Sequence, residues 1–201
     1  MIIKVCGHTR SNELQRDRAV AYDLLGLVFV RRSPRYAGEI PFETGPTPRV
    51  GVFQDASLDE MRRIGQAWNL SGIQLHGEES AELAISLRSA GYTVIKALGV
   101  DSPQVLAKAE EIYPPGSIDY FLFDSPGGGT GRHFNWEWLA AYQGNTPFLL
   151  AGGIGPGDAP RIASVHHAQF AGIDLNSRFE TAPGIKDYEL LRKFIEHELP
   201  R

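Results

Sequence analysis

The sequence predicts an α/β protein: a single-domain (βα)8 barrel over residues 1–201, in which the second helix is shortened or missing. Eight short runs rich in Val, Ile, Leu and Phe recur along the chain, and the segments between them are compatible with helices. Successive runs start about 24 residues apart, which is the length of one strand–loop–helix unit. Eight is also the number of parallel strands that closes such a barrel.

The apolar runs show little alternation of polar and apolar residues, which is typical of parallel strands that are covered on both faces. They read IIKVC from Ile2, LGLVFV from Leu25, RVGVF from Arg49, SGIQLH from Ser71, TVIKAL from Thr93, DYFLFD from Asp119, PFLLAGG from Pro147 and QFAGIDL from Gln169. A doubly wound open sheet is the competing architecture. No GxGxxG motif follows the first run, which argues against that alternative.

The segments between the runs carry helix start signals. Ser57 and Glu60 form a capping box, in which the serine accepts a hydrogen bond from the glutamate amide. Pro103 occupies the first position of another helix, where its missing N–H costs nothing. A final helix is predicted from the cap Asp187 and from an apolar stripe at helical spacing. That stripe consists of Leu190, Leu191, Phe194 and Ile195.

The second crossover is irregular. Pro41, Pro46 and Pro48 fall within eight residues of one another. Proline removes a helical hydrogen bond and clashes with the preceding turn. The segment between residues 36 and 49 is therefore predicted to be a loop with at most one short turn.

Composition excludes several classes of protein. Hydrophobic residues make up 42% of the chain and charged residues 22%, an ordinary globular mixture, and the net charge is −4. The basic residues are scattered, so no nucleic-acid partner is expected. No apolar run approaches the roughly 20 residues that span a bilayer, and Lys4 interrupts the layout of a signal peptide. Because the single cysteine cannot form an internal disulfide, we expect a cytoplasmic protein.

Polar residues follow several of the runs, where the active site of such a barrel forms. They are Cys6, Arg35, Gln74, His76, Asp124, Gly152, Gly153, Asp174, Asn176 and Ser177. Each also has a simpler explanation when taken alone. A lone cysteine is most often a small buried hydrophobe. Asp124 could cap its loop, Arg35 could be solvated, and His76 is more typical of a hydrogen-bonded turn than of a base. The histidines show no metal-ligand spacing, so no metal is expected.

Two glycine-rich segments, AGGIGPG after the seventh run and DLNSRFETAPG after the eighth, predict a phosphate site. Loops at these places grip phosphate in many barrels through backbone N–H groups that glycine leaves uncovered. The alternative is that the glycines only form turns. A third stretch, SPGGGTGRHFNW from Ser125, is predicted to be a mobile lid over Asp124. It lacks the Gly-Lys-Ser/Thr ending of a Walker loop.

Eight motifs follow one another along the chain: KVCGHTR, FVRRSPRY, VGVF, IQLHGEES, VIKAL, FDSPGGGTGRHFNW, LLAGGIGP and GIDLNSRFETAPGIKD. Together they resemble the motifs of the phosphoribosylanthranilate isomerase family of tryptophan biosynthesis. The resemblance extends from the first strand to the last helix. It implies a (βα)8 barrel that catalyses an Amadori rearrangement of a small phosphorylated substrate, with no metal or organic cofactor. We expect a monomer.

The resemblance also implies a role for all of the candidate site residues except His76. Asp124 is the acid that protonates the ribose ring oxygen, which burial favours by keeping the carboxyl protonated. Cys6 is the base that removes the C2 proton, for which its thiol needs a lowered pKa or help from the substrate. Arg35 binds the anthranilate carboxylate, as suits a planar guanidinium. The other substrate-binding residues are Gln74, Asp174 beside the sugar hydroxyls, and Gly152, Gly153, Asn176 and Ser177 around the phosphate.

Three features depart from the family pattern. They are the shortened second helix, Arg178 where glycine is usual, and His8 where an aliphatic residue is common. Arg178 either changes the backbone of the phosphate loop or adds a charged contact. His8 is expected to face solvent, the alternative being that it tunes the thiol of Cys6.

Other functions compete with this interpretation. Indole-glycerol-phosphate synthase would need a pair of catalytic lysines, and the sugar isomerase of histidine biosynthesis uses aspartates at strands one and five. Both fit poorly, because the first strand here ends in Cys6. A phosphate-binding barrel without catalysis, acting as a regulatory or scaffold protein, is disfavoured by the joint presence of Cys6, Arg35 and Asp124.

Overall fold

The computed structural model describes residues 1–9, 20–42, 44–127 and 133–199. Eight parallel strands form a closed barrel, in which each strand pairs with the next along the chain and the last pairs with the first. The strands are β1 (Ile2–Cys6), β2 (Leu24–Val28), β3 (Arg49–Phe53), β4 (Gly72–Leu75), β5 (Thr93–Gly99), β6 (Tyr120–Asp124), β7 (Phe148–Leu150) and β8 (Phe170–Leu175). The predicted fold class is therefore confirmed.

Helices cover the outside of the barrel, and a short hairpin follows its last strand. The helices are α1 (Leu58–Ala67), α2 (Ala81–Ser89), α3 (Pro103–Ala107), α4 (Ala109–Ile112), α5 (Ala159–Ala163) and α6 (Tyr188–Lys193), with 3-10 turns at Trp136–Ala141 and Ser177–Phe179 and a π-helical turn at Phe194–Glu198. The hairpin pairs β9 (Glu180–Ala182) with β10 (Ile185–Lys186).

The predicted helix starts are confirmed. Ser57 caps α1 by accepting the Glu60 amide at 3.2 Å. Pro103 is the first residue of α3. Asp187 caps α6 by accepting the Leu190 amide at 3.0 Å.

The second crossover contains no helix among its described residues, 29–42 and 44–48, which confirms the prediction. Aromatic packing covers the barrel there: the rings of Phe29 and Phe42 each lie 5.1 Å from that of Trp68. β2 ends at Val28, earlier than predicted, because a turn closed by the Ser33 amide on the Val30 carbonyl follows it.

β7 is also shorter than its apolar run suggests. It ends at Leu150, whereas the run continues to Gly153. Gly152 and Gly153 have φ values of +83° and +72°, which a strand cannot contain. The two glycines therefore belong to the loop that leaves the strand.

The apolar core has two main parts, because strand side chains alternate between the two faces, and a small third cluster consists of Cys6, Val28 and Val52. The barrel interior is filled by a compact cluster that consists of Val50, Ile95, Ala97, Leu122, Leu149 and Ala151. Between the barrel and its helices lies a larger cluster, in which Phe121 and Phe123 stack at 5.7 Å. Toward the carboxyl ends of the strands the interior becomes polar and opens into a cavity. None of the helices in the described part of the chain is long and apolar enough to cross a bilayer.

Candidate active site

A cavity of about 830 Å³ lies at the carboxyl ends of the strands. The candidate site residues predicted from the sequence, two of which are glycines, all line this cavity. They are Cys6, Arg35, Gln74, His76, Asp124, Gly152, Gly153, Asp174, Asn176 and Ser177. They come from the ends of five strands and from the loop after β2. Closure of the barrel brings them together, because all eight strands end at the same rim.

Cys6 ends β1 and is buried, with 5% of its surface exposed. Burial and the carboxylate of Asp174 raise the pKa of its thiol, whereas the ammonium groups of Lys4 and Lys186 act in the opposite direction and favour the thiolate. Lys4 is itself fully buried and pairs with Asp174 at 2.8 Å. Burial outweighs the ammonium groups, so the free protein holds Cys6 as a thiol beside two positive charges.

Gly26 of β2 leaves room for the thiol. A Cβ at this position would lie 2.7 Å from Cys6 Sγ and 2.9 Å from Cys6 Cα. We expect Gly26→Ala to displace Cys6, to destabilise the fold by about 1–3 kcal/mol and to lower turnover by about tenfold or more. Chemical denaturation and steady-state kinetics measure the two effects.

Gly99→Ala is the matched control, because its Cβ would meet nothing closer than 3.6 Å. It should leave the free energy of unfolding within about 1 kcal/mol of the parent value. An equal loss of stability in both variants would contradict the packing role of Gly26.

Asp124 ends β6, and only 11% of its side chain is exposed. Its Oδ1 accepts the backbone N–H of Ser125 at 2.7 Å. Burial raises the pKa of the carboxyl to about 6, although the Ser125 hydrogen bond and Lys4 act to lower it. A carboxyl with this pKa can both hold and release a proton near neutral pH.

His76 lies beside this carboxyl, which the sequence did not indicate. Its Nε2 is 3.8 Å from Asp124 Oδ2, and its Nδ1 is 3.2 Å from Gln74 Nε2. Burial lowers the pKa of His76, so the imidazole is neutral at pH 7. The spacing in the sequence could have indicated that His76 lies next to Gln74. His76 follows Gln74 by two residues at the end of β4, which places both side chains on the same face.

The β9–β10 hairpin brings a buried charge cluster to the rim of the cavity. Glu180 accepts Arg35 Nη2 at 2.7 Å and Arg35 Nε at 3.0 Å, and it accepts Lys186 Nζ at 2.8 Å. Lys186 also donates to Asn176 Oδ1 at 2.9 Å. The sequence offered no sign of this cluster, since Glu180 and Lys186 stand among polar residues that a solvated hairpin would also contain.

The loops after β7 and β8 lie side by side at the cavity. Gly152 and Gly153 adopt left-handed φ values of +83° and +72°, and a side chain on Gly152 would collide with Ser125 Oγ. Arg178 in the β8 loop is exposed and lies against the β7 loop, because a Cβ on Gly155 would be 2.9 Å from Arg178 Cβ. The arginine therefore adds a charge where the two loops meet.

The expectation that His8 faces solvent is wrong. His8 is buried, with 1% of its surface exposed, and its ring stacks on Tyr22 at a centroid distance of 6.2 Å. Burial lowers its pKa well below the usual range, and Lys186 and Lys4 act in the same direction, so the ring stays neutral. The predicted lid, residues 125–136, includes the segment 128–132, which lies outside the described residues.

The fold and the cavity together define a class: a (βα)8 barrel that places a thiol, a carboxyl and cationic side chains around one cavity at the carboxyl ends of its strands. The family model for N-(5'phosphoribosyl)anthranilate (PRA) isomerase matches residues 3–197. The chain belongs to this family of isomerases.

Individual relatives agree with the family match. The N-(5'-phosphoribosyl)anthranilate isomerase of Parabacteroides distasonis is 40% identical over 209 residues, which cover 99% of this chain and 94% of the relative. The crystal structure of phosphoribosyl anthranilate isomerase from Thermus thermophilus superimposes with a TM-score of 0.81 at 30% identity, covering 98% and 97% of the two chains. A crystal structure of the isomerase in complex with reduced 1-(o-carboxyphenylamino)-1-deoxyribulose 5-phosphate gives a TM-score of 0.76 at 25% identity, covering 98% of each chain.

Proposed function

We propose that this protein converts N-(5-phospho-β-D-ribosyl)anthranilate into 1-(2-carboxyphenylamino)-1-deoxy-D-ribulose 5-phosphate, an Amadori rearrangement in tryptophan biosynthesis. Asp124 is the general acid and Cys6 the general base. The observation that carries the proposal is that a buried thiol and a carboxyl with a raised pKa line one cavity. Opening a sugar ring and then moving a proton requires an acid and a base at the same substrate. Since the cavity is built from one chain, we propose that a monomer is active.

The phosphate of the substrate fits between the loops after β7 and β8. Gly152 and Gly153 expose backbone there without side chains, and the backbone of Asn176 and Ser177 lines the facing side. Backbone N–H groups bind phosphate in such loops. Arg178 lies just beyond and adds a positive charge at the mouth of this site.

The anthranilate carboxylate fits against Arg35. Glu180 already occupies the edge of the guanidinium formed by Nε and Nη2. The end-on edge, formed by Nη1 and Nη2, is left for a second carboxylate, which it can bind with two parallel hydrogen bonds. Glu180 thus orients Arg35 for the substrate.

The sugar hydroxyls fit two buried acceptors of the cavity. Within the described residues, Gln74 Oε1 and Asp174 Oδ1 have no hydrogen-bond partner. Buried acceptors normally have one, and an unpaired group costs free energy. Hydroxyl groups of a bound ribose would satisfy both atoms.

Ring opening is the first chemical step. Asp124 gives its proton to the ring oxygen while the C1–O bond breaks, and the anilino nitrogen supplies the electron pair that forms a C=N bond to C1. The product is a positively charged iminium. Burial favours the protonated acid beforehand, because it raises the pKa of Asp124 to about 6.

Proton removal from C2 is the second step. The iminium makes this proton acidic, and its positive charge joins those of Lys4 and Lys186 in favouring the thiolate of Cys6. Once the iminium has formed, the thiol gives its proton to solvent water. The thiolate takes the proton, and the electrons form a C1=C2 bond. The enol then loses its O2 proton to the Asp124 carboxylate, while C1 gains a proton from the thiol. Asp124 is then protonated again, and the thiolate of Cys6 regains its proton from solvent water, so both groups return to their starting states.

A direct assay tests the proposed function. The anthranilate group of the substrate is fluorescent, so its conversion can be followed continuously with the purified full chain. We expect turnover with a kcat of about 1–10³ s⁻¹, with no added metal or cofactor.

A non-catalytic phosphate-binding barrel predicts a different result. It would bind reduced 1-(o-carboxyphenylamino)-1-deoxyribulose 5-phosphate without converting the substrate. Tight binding of this analogue together with no fluorescence change would overturn the proposal.

A further inference from the structure

The two oxygens of Asp124 have different surroundings. Oδ1 is held by the backbone N–H of Ser125 at 2.7 Å. Oδ2 faces the imidazole of His76, whose Nε2 lies 3.8 Å away. Since Oδ1 already accepts an N–H, the acid proton belongs on Oδ2. The group that faces Oδ2 therefore acts on the carboxylate left behind when the proton departs.

Gln74 determines which nitrogen of His76 carries the proton. Its amide Nε2, 3.2 Å from His76 Nδ1, can only donate a hydrogen bond. Nδ1 therefore accepts, and the neutral ring carries its proton on Nε2, toward Asp124. Gln74 is 1% exposed, so packing holds its amide in place.

Burial keeps His76 neutral, and the charged groups around it act in opposite directions. Burial is the largest influence and lowers its pKa. The charged side chains that act on the ring are Lys4 from β1, Lys96 from β5, Asp174 from β8 and Glu79 from the loop before α2. The two lysines lower the pKa of His76 and the two carboxylates raise it. His76 thus faces Asp124 as a neutral N–H donor and not as a cation.

We propose that Gln74 and His76 form a positioning pair for the acid: Gln74 fixes the tautomer of His76, and the Nε2–H of His76 stabilises the Asp124 carboxylate as it forms. This inference rests on the proposed role of Asp124. The distance of 3.8 Å is longer than a hydrogen bond in the free protein, and catalytic hydrogen bonds commonly shorten once substrate is bound. Without the pair, Asp124 is a weaker acid.

Replacing His76 tests the pair through the pH profile. For His76→Leu we expect the low-pH plateau of kcat/KM to fall about tenfold and its alkaline limb to move up by about one pH unit. His76→Gln, which keeps an N–H donor near the position of Nε2, should restore part of both effects. A fall in kcat/KM without any movement of the alkaline limb would overturn the inference. The matched control is His166→Leu, because His166 is exposed and does not line the cavity.

Nuclear magnetic resonance tests the pair without substrate. In the free protein, ¹⁵N shifts should show the Nε2–H tautomer of His76, and ¹³C titration should show a higher pKa for Asp124 in His76→Leu and a smaller rise in His76→Gln. Gln74→Glu, whose carboxylate accepts from Nδ1–H, should reverse the tautomer.

An Nδ1–H tautomer in the parent protein, or an unchanged Asp124 titration in His76→Leu, would overturn the inference even if the enzyme is active. Lack of turnover with the titration shift present would instead refute the proposed function alone.

Discussion

Asp124→Asn should lower kcat by about 10²–10⁴-fold, the usual contribution of a general acid or base. The amide keeps the shape of the carboxyl and can still accept the Ser125 N–H, but it has no proton to give to the ring oxygen. In the parent protein the pKa of Asp124 is about 6. The protonated form of Asp124 is therefore lost as the pH rises through 6, and kcat/KM of the parent should fall tenfold per pH unit above it, along an alkaline limb. The variant should show no such limb.

The same substitution should stabilise the fold at alkaline pH. Burial raises the pKa of Asp124 from 3.8 to about 6, so the unfolded chain loses this proton more readily than the folded one. Above pH 6 the folded protein holds a buried carboxylate that the asparagine variant lacks. We expect the variant to be more stable by about 3 kcal/mol at pH 8. This difference should shrink as the pH falls through 6 and vanish below about pH 4.

Urea denaturation at several pH values measures this difference, beside kinetics on the same samples. Asp101→Asn is the control, since Asp101 is exposed, and it should change neither profile. A fully active Asp124→Asn variant would contradict the assignment of the acid. A stability gain that is the same at pH 4 and pH 8 would contradict the buried charge.

Cys6→Ala should also lower kcat by about 10²–10⁴-fold, because no other side chain is assigned the C2 proton. Cys6→Ser should lose nearly as much activity, since a hydroxyl ionises far less readily than a thiol. The affinity for the reduced product analogue should change little in either variant, because the proposed binding groups are Arg35, Asp174 and the two glycine loops. The cost in stability should be about 1 kcal/mol, as for a small buried side chain.

Turnover kinetics together with calorimetric binding of the analogue separate these effects. Loss of turnover with binding retained supports Cys6 as the base. Unchanged turnover in Cys6→Ala would eliminate it, and equal losses of binding and turnover would point to a structural role for the thiol.

Most of the barrel could be predicted because its pattern is local. Eight apolar runs at regular spacing indicate eight covered strands, and caps such as Ser57 and Asp187 mark helix starts within a few residues. The positions at which strands end were predicted less accurately. Gly152 and Gly153 continue an apolar run, yet their positive φ values end β7 at Leu150.

Cys6, Arg35 and Asp124 each had a simpler explanation on residue chemistry alone, and it was the resemblance to a known family that assigned them roles, which stay predictions. What could not be predicted depends on distance in space. His8 stands between polar and apolar neighbours, and nothing near it in the sequence shows that Tyr22 covers it. Glu180 and Lys186 become part of the site only because the hairpin folds back toward Arg35.

The pairing of β1 with β8 has a consequence for synthesis of the protein. Lys4 lies in the first strand of the barrel, while its partner Asp174 is 170 residues further along. Until β8 is synthesised, the ammonium group of Lys4, which is buried in the folded protein, lacks the carboxylate of Asp174. One side of the cavity is also missing. Contacts of such high sequence separation form slowly. Because Asp174, Asn176 and Ser177 also line the cavity, closure of the barrel and completion of the cavity depend on the same strand and its loop.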